Sequence, residues 1–590
     1  MDDRGLNSVE DAPIGPQGGS PDSARGLQDF RSMTPSLVHQ FVRHSAEQTP
    51  LATALIEPGR EISYADLNGL CNRVANLLLT KGVHRGDRVV LALKNCIELV
   101  ACYFGTMKAG AVAVPLPPGP RSDRFAHVVE DCSPTVCIVD TPTAEEQAAA
   151  LCGAPVVLVH RNRNGSSGNG KHADPETRPD PVQRPQIQSH SDLRDALESV
   201  SDTEPDVRMI GSDLAAIIYT SGSTGAPRGV MLSHLNIVAN TESVVTYLRL
   251  SHADRVMCVL PFYYVYGLSL LHTHMRVGAS VVIDNRLAFP NAVLQAMTEY
   301  CVTGLAGVPS TFALLLHRSS LMAMSFPHLR YVTQAGGPMP PARIREWLEK
   351  GPPAPLYVMY GATEASARLT YLEPRELSAH MGSIGKPIPN VEVIVLKEDG
   401  QQAGPGEVGE LVARGSNISR GYWNNPEDTR ASFGPFGFRT GDLGYADADG
   451  FLYVVGRRND MLKVGAHRVS AKEIEDVLSE HPAFHEVAVV GAPHDILGEA
   501  PVAFVVLREG QGLDTEEVGE FCRRRLPSHK LPVGVILRSE IPKNCVGKFD
   551  KGALRQAARE VIRTSHRVAR TRTRHPSDRM NGPETTSNSP

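Results

Sequence analysis

An apolar run, Ile217-Ile218-Tyr219, opens directly into Thr220-Ser221-Gly222-Ser223-Thr224-Gly225-Ala226-Pro227-Arg228-Gly229. Glycine accepts positive φ, so consecutive backbone N–H groups in such a loop can turn inward as an anion nest. The hydroxyls of Thr220, Ser221, Ser223 and Thr224 add donors, and Arg228 adds a charge suited to a polyphosphate. A hydroxyl-rich surface turn is the plain alternative. Ordinary turns carry two or three such residues, and this density favours phosphate binding.

The flanking sequence says what kind of scaffold carries the loop. Strand-like Arg88-Val89-Val90-Leu91-Ala92-Leu93, helix-like Glu98 to Lys108 and strand-like Ala111 to Pro115 alternate in a way that implies α/β layers around a largely parallel sheet. The same alternation is expected from Asp213 to about Val455. A chain of 590 residues is too long for one core. The expected division is a leader at 1–33, a large α/β domain at 34–458 and a small α+β domain at 459–557, joined near Arg457 to Asp460, followed by a tail at 558–590. Leader and tail read as disordered, the tail being rich in arginine. Residues 161–207, polar and rich in Gly, Pro, Asn and Ser, read as a flexible surface insertion. Gly165 to Lys171 matches part of a phosphate-loop pattern, but His172 stands where Ser or Thr is needed and no strand precedes it, so the match is rejected.

Composition excludes several classes. A net charge of -5 and a pI near 6.5 argue against a nucleic-acid protein. The cysteines contain no CxxC pair, which fits thiols in a reducing cytoplasm better than a disulfide framework or a zinc site. No apolar stretch approaches the roughly 20 residues a membrane span needs.

Further segments follow the loop in order. Tyr360-Gly361-Ala362-Thr363-Glu364 comes after strand-like Leu356 to Met359, and Ala335-Gly336-Gly337-Pro338 lies upstream of it. Then come Arg439-Thr440-Gly441-Asp442-Leu443, Gly456-Arg457-Arg458-Asn459-Asp460 and Pro542-Lys543-Asn544-Cys545-Val546-Gly547-Lys548. Alone, Glu364 reads best as a helix N-terminal charge, Asp442 as part of a turn and Lys548 as a surface lysine. Together they resemble the adenylate-forming superfamily, which includes acyl-CoA synthetases, peptide-synthetase adenylation domains and firefly luciferase. The resemblance covers about residues 35–557.

It implies a large multi-layer α/β domain with a small mobile α+β domain behind it, and the following roles. The loop from Thr220 to Gly225, with Arg228, holds the β,γ-phosphates of ATP; the family usually has lysine where Arg228 stands, so a planar fork replaces a point charge. Tyr360 stacks on adenine beside Gly336, Gly337 and Gly361, Thr363 contacts the α-phosphate, and Glu364 binds Mg²⁺. Asp442 and Arg457 contact the ribose. Lys548 bridges carboxylate and α-phosphate, where a positioned cation offsets the repulsion of two anions. Asn459 takes the pivot position at which the small domain rotates, a place usually held by Asp or Lys. Lys463, Gly465, Ala466 and His467 resemble the loop that enters the site for thiol transfer.

Leu260 to Gly267 resembles the segment beside the acyl pocket, with Phe262, Tyr263, Tyr264 and Gly267 facing Gly307 and Val308; Tyr264 replaces a common histidine. From composition alone, the aromatics fit core packing equally well. No aspartate of the kind that binds an amino group is found, which tilts the substrate towards an unaminated acid, aliphatic or aryl. The expected enzyme is an AMP-forming acyl-CoA synthetase. Its acceptor is CoA or the phosphopantetheine arm of a carrier protein, with an amino-acid adenylating enzyme as a weaker alternative. An inactive nucleotide-binding homologue would be expected to have lost Lys548, Glu364 or Asp442, and a serine hydrolase lacks its GxSxG elbow here.

Overall fold

The computed structural model describes residues 35–119, 123–151, 154–159, 190–221, 227–494, 497–543 and 549–560. The expectations for residues 1–33, 161–189 and the tail from 561 lie outside them.

Two sheets dominate the large domain. One has seven strands, ordered His190–Asp192, Val156–Val159, Val136–Asp140, Arg88–Ala92, Val112–Pro115, Leu214–Ser221 and Pro227–Ser233. It is parallel except for the final antiparallel pair. The other has nine strands, with Leu356–Tyr360, Tyr331–Gln334, Gly304–Gly307, Arg255–Cys258 and Ser280–Ile283 as its parallel centre. Strands such as Val112–Pro115 and Ser280–Ile283 are buried at every position, as a sheet covered on both faces requires. The helices Tyr64–Thr80, Ile97–Lys108 and Val265–Val277 fill the space between the sheets. Ser63 caps the first by accepting from the Asp66 N–H.

Two expectations need correction. The region read as a flexible insertion carries regular structure at its far end: His190–Asp192 is an edge strand and Leu193–Glu198 a helix capped by Asp192. Beyond it, Glu204 pairs with the fully buried Lys108 at 2.5 Å. The α/β alternation also stops short of Val455. Val391–Leu396, Gly409–Gly415, Phe433–Gly434, Gly437–Ala446 and Leu452–Arg457 form a separate, wholly antiparallel sheet.

The C-terminal unit is a further sheet, ordered His467–Ser470, Met461–Val464, Gly498–Leu507 and Phe484–His494, with Gly534–Leu537 parallel to Gly498–Leu507. The helices Ala471–Leu478 and Thr515–Arg523 pack on it. No helix among the described residues is long and apolar enough to cross a membrane.

The two units dock through a polar contact. Arg343 donates from Nη2 to the His485 carbonyl at 3.0 Å, Arg345 pairs with Glu480 at 2.8 Å, and the His317 and His485 rings meet edge-on at 5.1 Å. Burial pushes His485 down to about 4 from its ordinary 6.5, with His317, Arg343 and Arg508 adding to the depression and Glu486 opposing it. Docked His485 is therefore neutral. Its contribution is fully present above pH 6.5 and is lost as pH falls from there towards 4. For Glu346, burial raises the carboxyl, but His317, Arg343 and Lys350 outweigh it and hold the group well below its usual range, so acid acts in the same direction. Small-angle scattering should show the units separating as pH falls through this window, and His485→Phe should flatten the response. A wild-type profile independent of pH would remove this explanation.

Candidate active site

The strands Leu214–Ser221 and Pro227–Ser233 form a hairpin in which Thr220 faces Arg228. Gly222, Ser223, Thr224, Gly225 and the Ser221 side chain lie outside the described residues. Arg228 is positioned by two contacts. Its Nη1 pairs with Asp428 at 3.3 Å, its guanidinium lies 4.7 Å from the centre of the Tyr422 ring, and its Nε is buried with no hydrogen-bond partner among the described residues. Tyr422 then donates its hydroxyl to Glu364 Oε1 at 2.8 Å. One aromatic ring thus couples the cation of the loop to the expected metal ligand. Burial and Glu364 both push the Tyr422 phenol up, so it stays a donor.

Thr363 and Glu364 open a 3₁₀ turn, Thr363–Ala365, directly after the strand Leu356–Tyr360. The turn is locked from behind. Buried Asn240 and Asn417 each donate to the carbonyls of both Ala365 and Arg368, over 2.9–3.3 Å. Ser419 N–H donates to the Glu364 carbonyl at 2.7 Å, and Leu369 N–H to the Tyr360 carbonyl at 2.9 Å. Ser366 and Ala367 are held at φ of 55° and 116°. Positive φ in a non-glycine residue persists only where the surroundings over-determine it.

The Tyr360 hydroxyl donates to Asp442 Oδ2 at 2.6 Å, and Arg457 Nε donates to Asp442 Oδ1 at 3.1 Å. Asp442 lies inside the strand Gly437–Ala446 and not in a turn. Burial, then the Asp442 charge, holds the Tyr360 phenol well above its usual range and therefore protonated. Each carboxylate oxygen has two lone pairs, so Asp442 keeps acceptor capacity for ribose hydroxyls.

Gly336, at φ of 85°, faces Val308: a Cβ built there would meet Val308 Cγ1 at 3.0 Å and the Tyr266 ring at 4.0 Å. A side chain at Gly267 would meet the Pro261 carbonyl at 2.2 Å, and one at Gly307 would crowd Thr311 at 3.0 Å. Phe262 is 1% exposed within the main core, so its ring serves packing, whereas Tyr263 and Tyr264 are half-buried with centroids 5.0 Å apart. Tyr266, not singled out from sequence, lies beside Gly336 as well. Its ring carries the guanidinium of Arg368 at 4.1 Å, and Arg368 is only 2% exposed. Taking a cation out of water costs several kcal/mol, against about 2 kcal/mol from a desolvated cation–ring contact.

The remaining candidates stand apart from this cluster. Lys463, Gly465, Ala466 and His467 form an exposed hairpin in which Gly465 takes φ of 60° and His467 stacks on His529 at 4.1 Å. No contact among the described residues joins them to Tyr360 or Asp442. Asn459 sits exposed in the 3₁₀ turn Arg458–Asp460, and Asp460 is held by Arg555 at 2.5 Å. Lys548 lies outside the described residues; on either side of it in sequence, Asp550 N–H donates to the Pro542 carbonyl at 2.8 Å, and Lys543 pairs with Glu486 at 2.5 Å.

Tyr422, Asp428, Asn240, Asn417 and Arg368 were missed from sequence. Only Tyr422 had a usable signal, as half of an aromatic pair between Gly421 and Asn424.

Comparison with known proteins agrees with this architecture. Residues 42–423 match the model of the AMP-binding enzyme family, and residues 473–548 that of the AMP-binding enzyme C-terminal domain. A long-chain-fatty-acid–CoA ligase of Bacillus subtilis (strain 168) is 30% identical, over 87% of this chain and 93% of its own length. An indoleacetate–CoA ligase of Aromatoleum aromaticum is 31% identical, over 88% and 97%. The crystal structure of ATP-bound MatB from Rhodopseudomonas palustris superposes with a TM-score of 0.78 at 28% identity, over 89% of this chain and 99% of that one. The chain belongs to the AMP-binding enzyme family. Its class within that family is the AMP-forming acid–thiol ligase.

Proposed function

We propose that this chain joins ATP to a carboxylic acid as an acyl-adenylate, releases pyrophosphate, and passes the acyl group to the thiol of CoA. The observation that carries this reading is that two contact networks meet within the segment Tyr360 to Glu364: Tyr360 hydrogen-bonds Asp442, which Arg457 also binds, and Glu364 accepts from Tyr422, whose ring carries Arg228. The first network suits a nucleoside and the second a polyphosphate. The buried Nε of Arg228, without a partner among the described residues, is the kind of donor an incoming phosphate oxygen would satisfy.

Glu364 keeps a hard oxygen, Oε2, without a partner among the described residues, and this fits a magnesium ion. Such an ion would supply neutralising charge to the polyphosphate. Arg228 holds the phosphates, and Lys548 neutralises the approaching anions. The rotation about Asn459 is then assigned to bringing the hairpin at Lys463 to His467 towards the adenylate for transfer. A phosphopantetheine arm offers the same thiol as CoA and is the alternative acceptor. We assign the reaction to the cytoplasm, in keeping with the absence of any disulfide among the described cysteines.

The test is acid-dependent ATP–pyrophosphate exchange over fatty, aryl, dicarboxylic and amino acids, followed by thioester formation with CoA and with holo-carriers. Exchange absent across the whole panel would defeat the reading, and thioester formed only on carriers would replace CoA as acceptor. Within it, Asp442→Ala should raise KM for ATP about tenfold or more with a smaller change in kcat, because hydrogen bonds to a charged group contribute about 1.5–3 kcal/mol and about 1.4 kcal/mol is tenfold. An unchanged KM would take Asp442 out of the nucleotide site.

A further inference from the structure

Arg368 is 2% exposed. Its Nε points at the Met359 sulfur at 3.3 Å and its Nη1 at the neighbouring Ala367 carbonyl at 3.2 Å, and the guanidinium also hydrogen-bonds the Tyr247 side chain, all of them neutral partners and none a counter-charge. No carboxylate among the described residues forms an ion pair with it. The ring beneath it is Tyr266, whose hydroxyl is tied to Thr333 at 3.0 Å and whose edge faces Gly336 and Val308. The cation is thus fixed at the wall of the expected acyl pocket, and its own carbonyl is pinned by Asn240 and Asn417. A buried charge without a counter-charge is costly, and a fork of donors is the geometry that matches a carboxylate.

On the reading of the chain as an acid-activating enzyme, we infer that Arg368 is a specificity-determining residue that pairs with a second carboxylate at the far end of the substrate, so that the natural acid is a dicarboxylate. One carboxylate reacts with ATP. The other supplies the counter-charge that the guanidinium lacks among the described residues. An acid lacking the second group would leave the cation buried and unpaired, which a polar site rejects more strongly than an apolar pocket rejects a missing methylene.

The experiment measures pyrophosphate exchange with straight-chain α,ω-dicarboxylates, aryl dicarboxylates and monocarboxylates of matched length, using wild type, Arg368→Leu and Arg368→Lys. Thermal melting and AMP binding report whether each variant folds. Wild type should prefer a dicarboxylate by about tenfold or more in kcat/KM. Arg368→Leu should invert the preference through KM, and Arg368→Lys should keep it in weakened form. Exchange with monocarboxylates in preference to every dicarboxylate overturns the inference while leaving the enzyme class intact. A loss of equal size on both series for folded Arg368→Leu also overturns it, because Arg368 would then only support Tyr266. Exchange with no acid at all overturns the inference together with the reading beneath it.

Discussion

Lys548→Ala is expected to lower acid-dependent pyrophosphate exchange by about 10²–10³-fold, the usual loss when one preorganised charge-stabilising group is removed. Transfer to CoA from a supplied acyl-adenylate should change by less than about tenfold, because no second anion has to approach the phosphate in that step. The companion control is Lys543→Ala. Both lysines lie in the Pro542 to Lys548 segment, but Lys543 is bound to Glu486 at 2.5 Å on the face of its own sheet and pairs through its backbone with Phe549. Its ammonium is already paired with Glu486, so its removal should leave exchange near the wild-type rate. Single-turnover measurement of each half-reaction separates the two lysines. Equal losses in both half-reactions for Lys548→Ala would show that the side chain supports the fold or binds the nucleotide generally.

The cluster proposed to hold the nucleotide could be picked out in sequence because its residues follow strand-like runs and carry distinctive types. Tyr360 and Asp442 meet across 82 residues, yet each is flagged locally by glycine and threonine neighbours. What holds them was not legible. Asn240 lies on the helix His234–Leu248 and Asn417 after the strand Gly409–Gly415, and neither position differs in sequence from an ordinary polar site. Their function exists only once the fold brings both amides to the same two carbonyls. The edge strand His190–Asp192 was missed for a different reason: edge strands are short and polar, since nothing covers their outer side, and this one is embedded in a polar stretch. The antiparallel sheet was absorbed into the α/β pattern because Val391–Leu396 and Gly409–Gly415 resemble parallel strands in composition, and only the near-absence of helix between them distinguishes the two. Arg368 presents the opposite case. It reads as one more surface arginine until its burial is known.

Gly361→Ala is expected to lower kcat/KM by about 10²-fold, as misplacing reacting groups by about 1 Å can do, and to lower the melting temperature. A Cβ at Gly361 would stand 1.9 Å from the Ala367 carbonyl oxygen and 2.9 Å from Arg368 Cα, so either strand Leu356–Tyr360 or the turn opposite it has to move. The strand is held by ladders on both sides. The turn is held by Asn240, Asn417 and Ser419, and already carries positive φ at Ser366 and Ala367. Overpacking of this kind costs about 1–3 kcal/mol, and a chain of this size tolerates that loss of stability. Activity should therefore fall further than folding. Displacing the turn moves Glu364 off Tyr422 and Arg368 off Tyr266 together, so metal dependence and acid preference should change in the same variant. Gly512→Ala is the control for introducing alanine at a glycine without positive φ, because a side chain there meets nothing within 4 Å. A folded Gly361→Ala enzyme with wild-type kcat/KM would mean that the turn yields freely, and the rigidity assigned to its two asparagines would have to be abandoned.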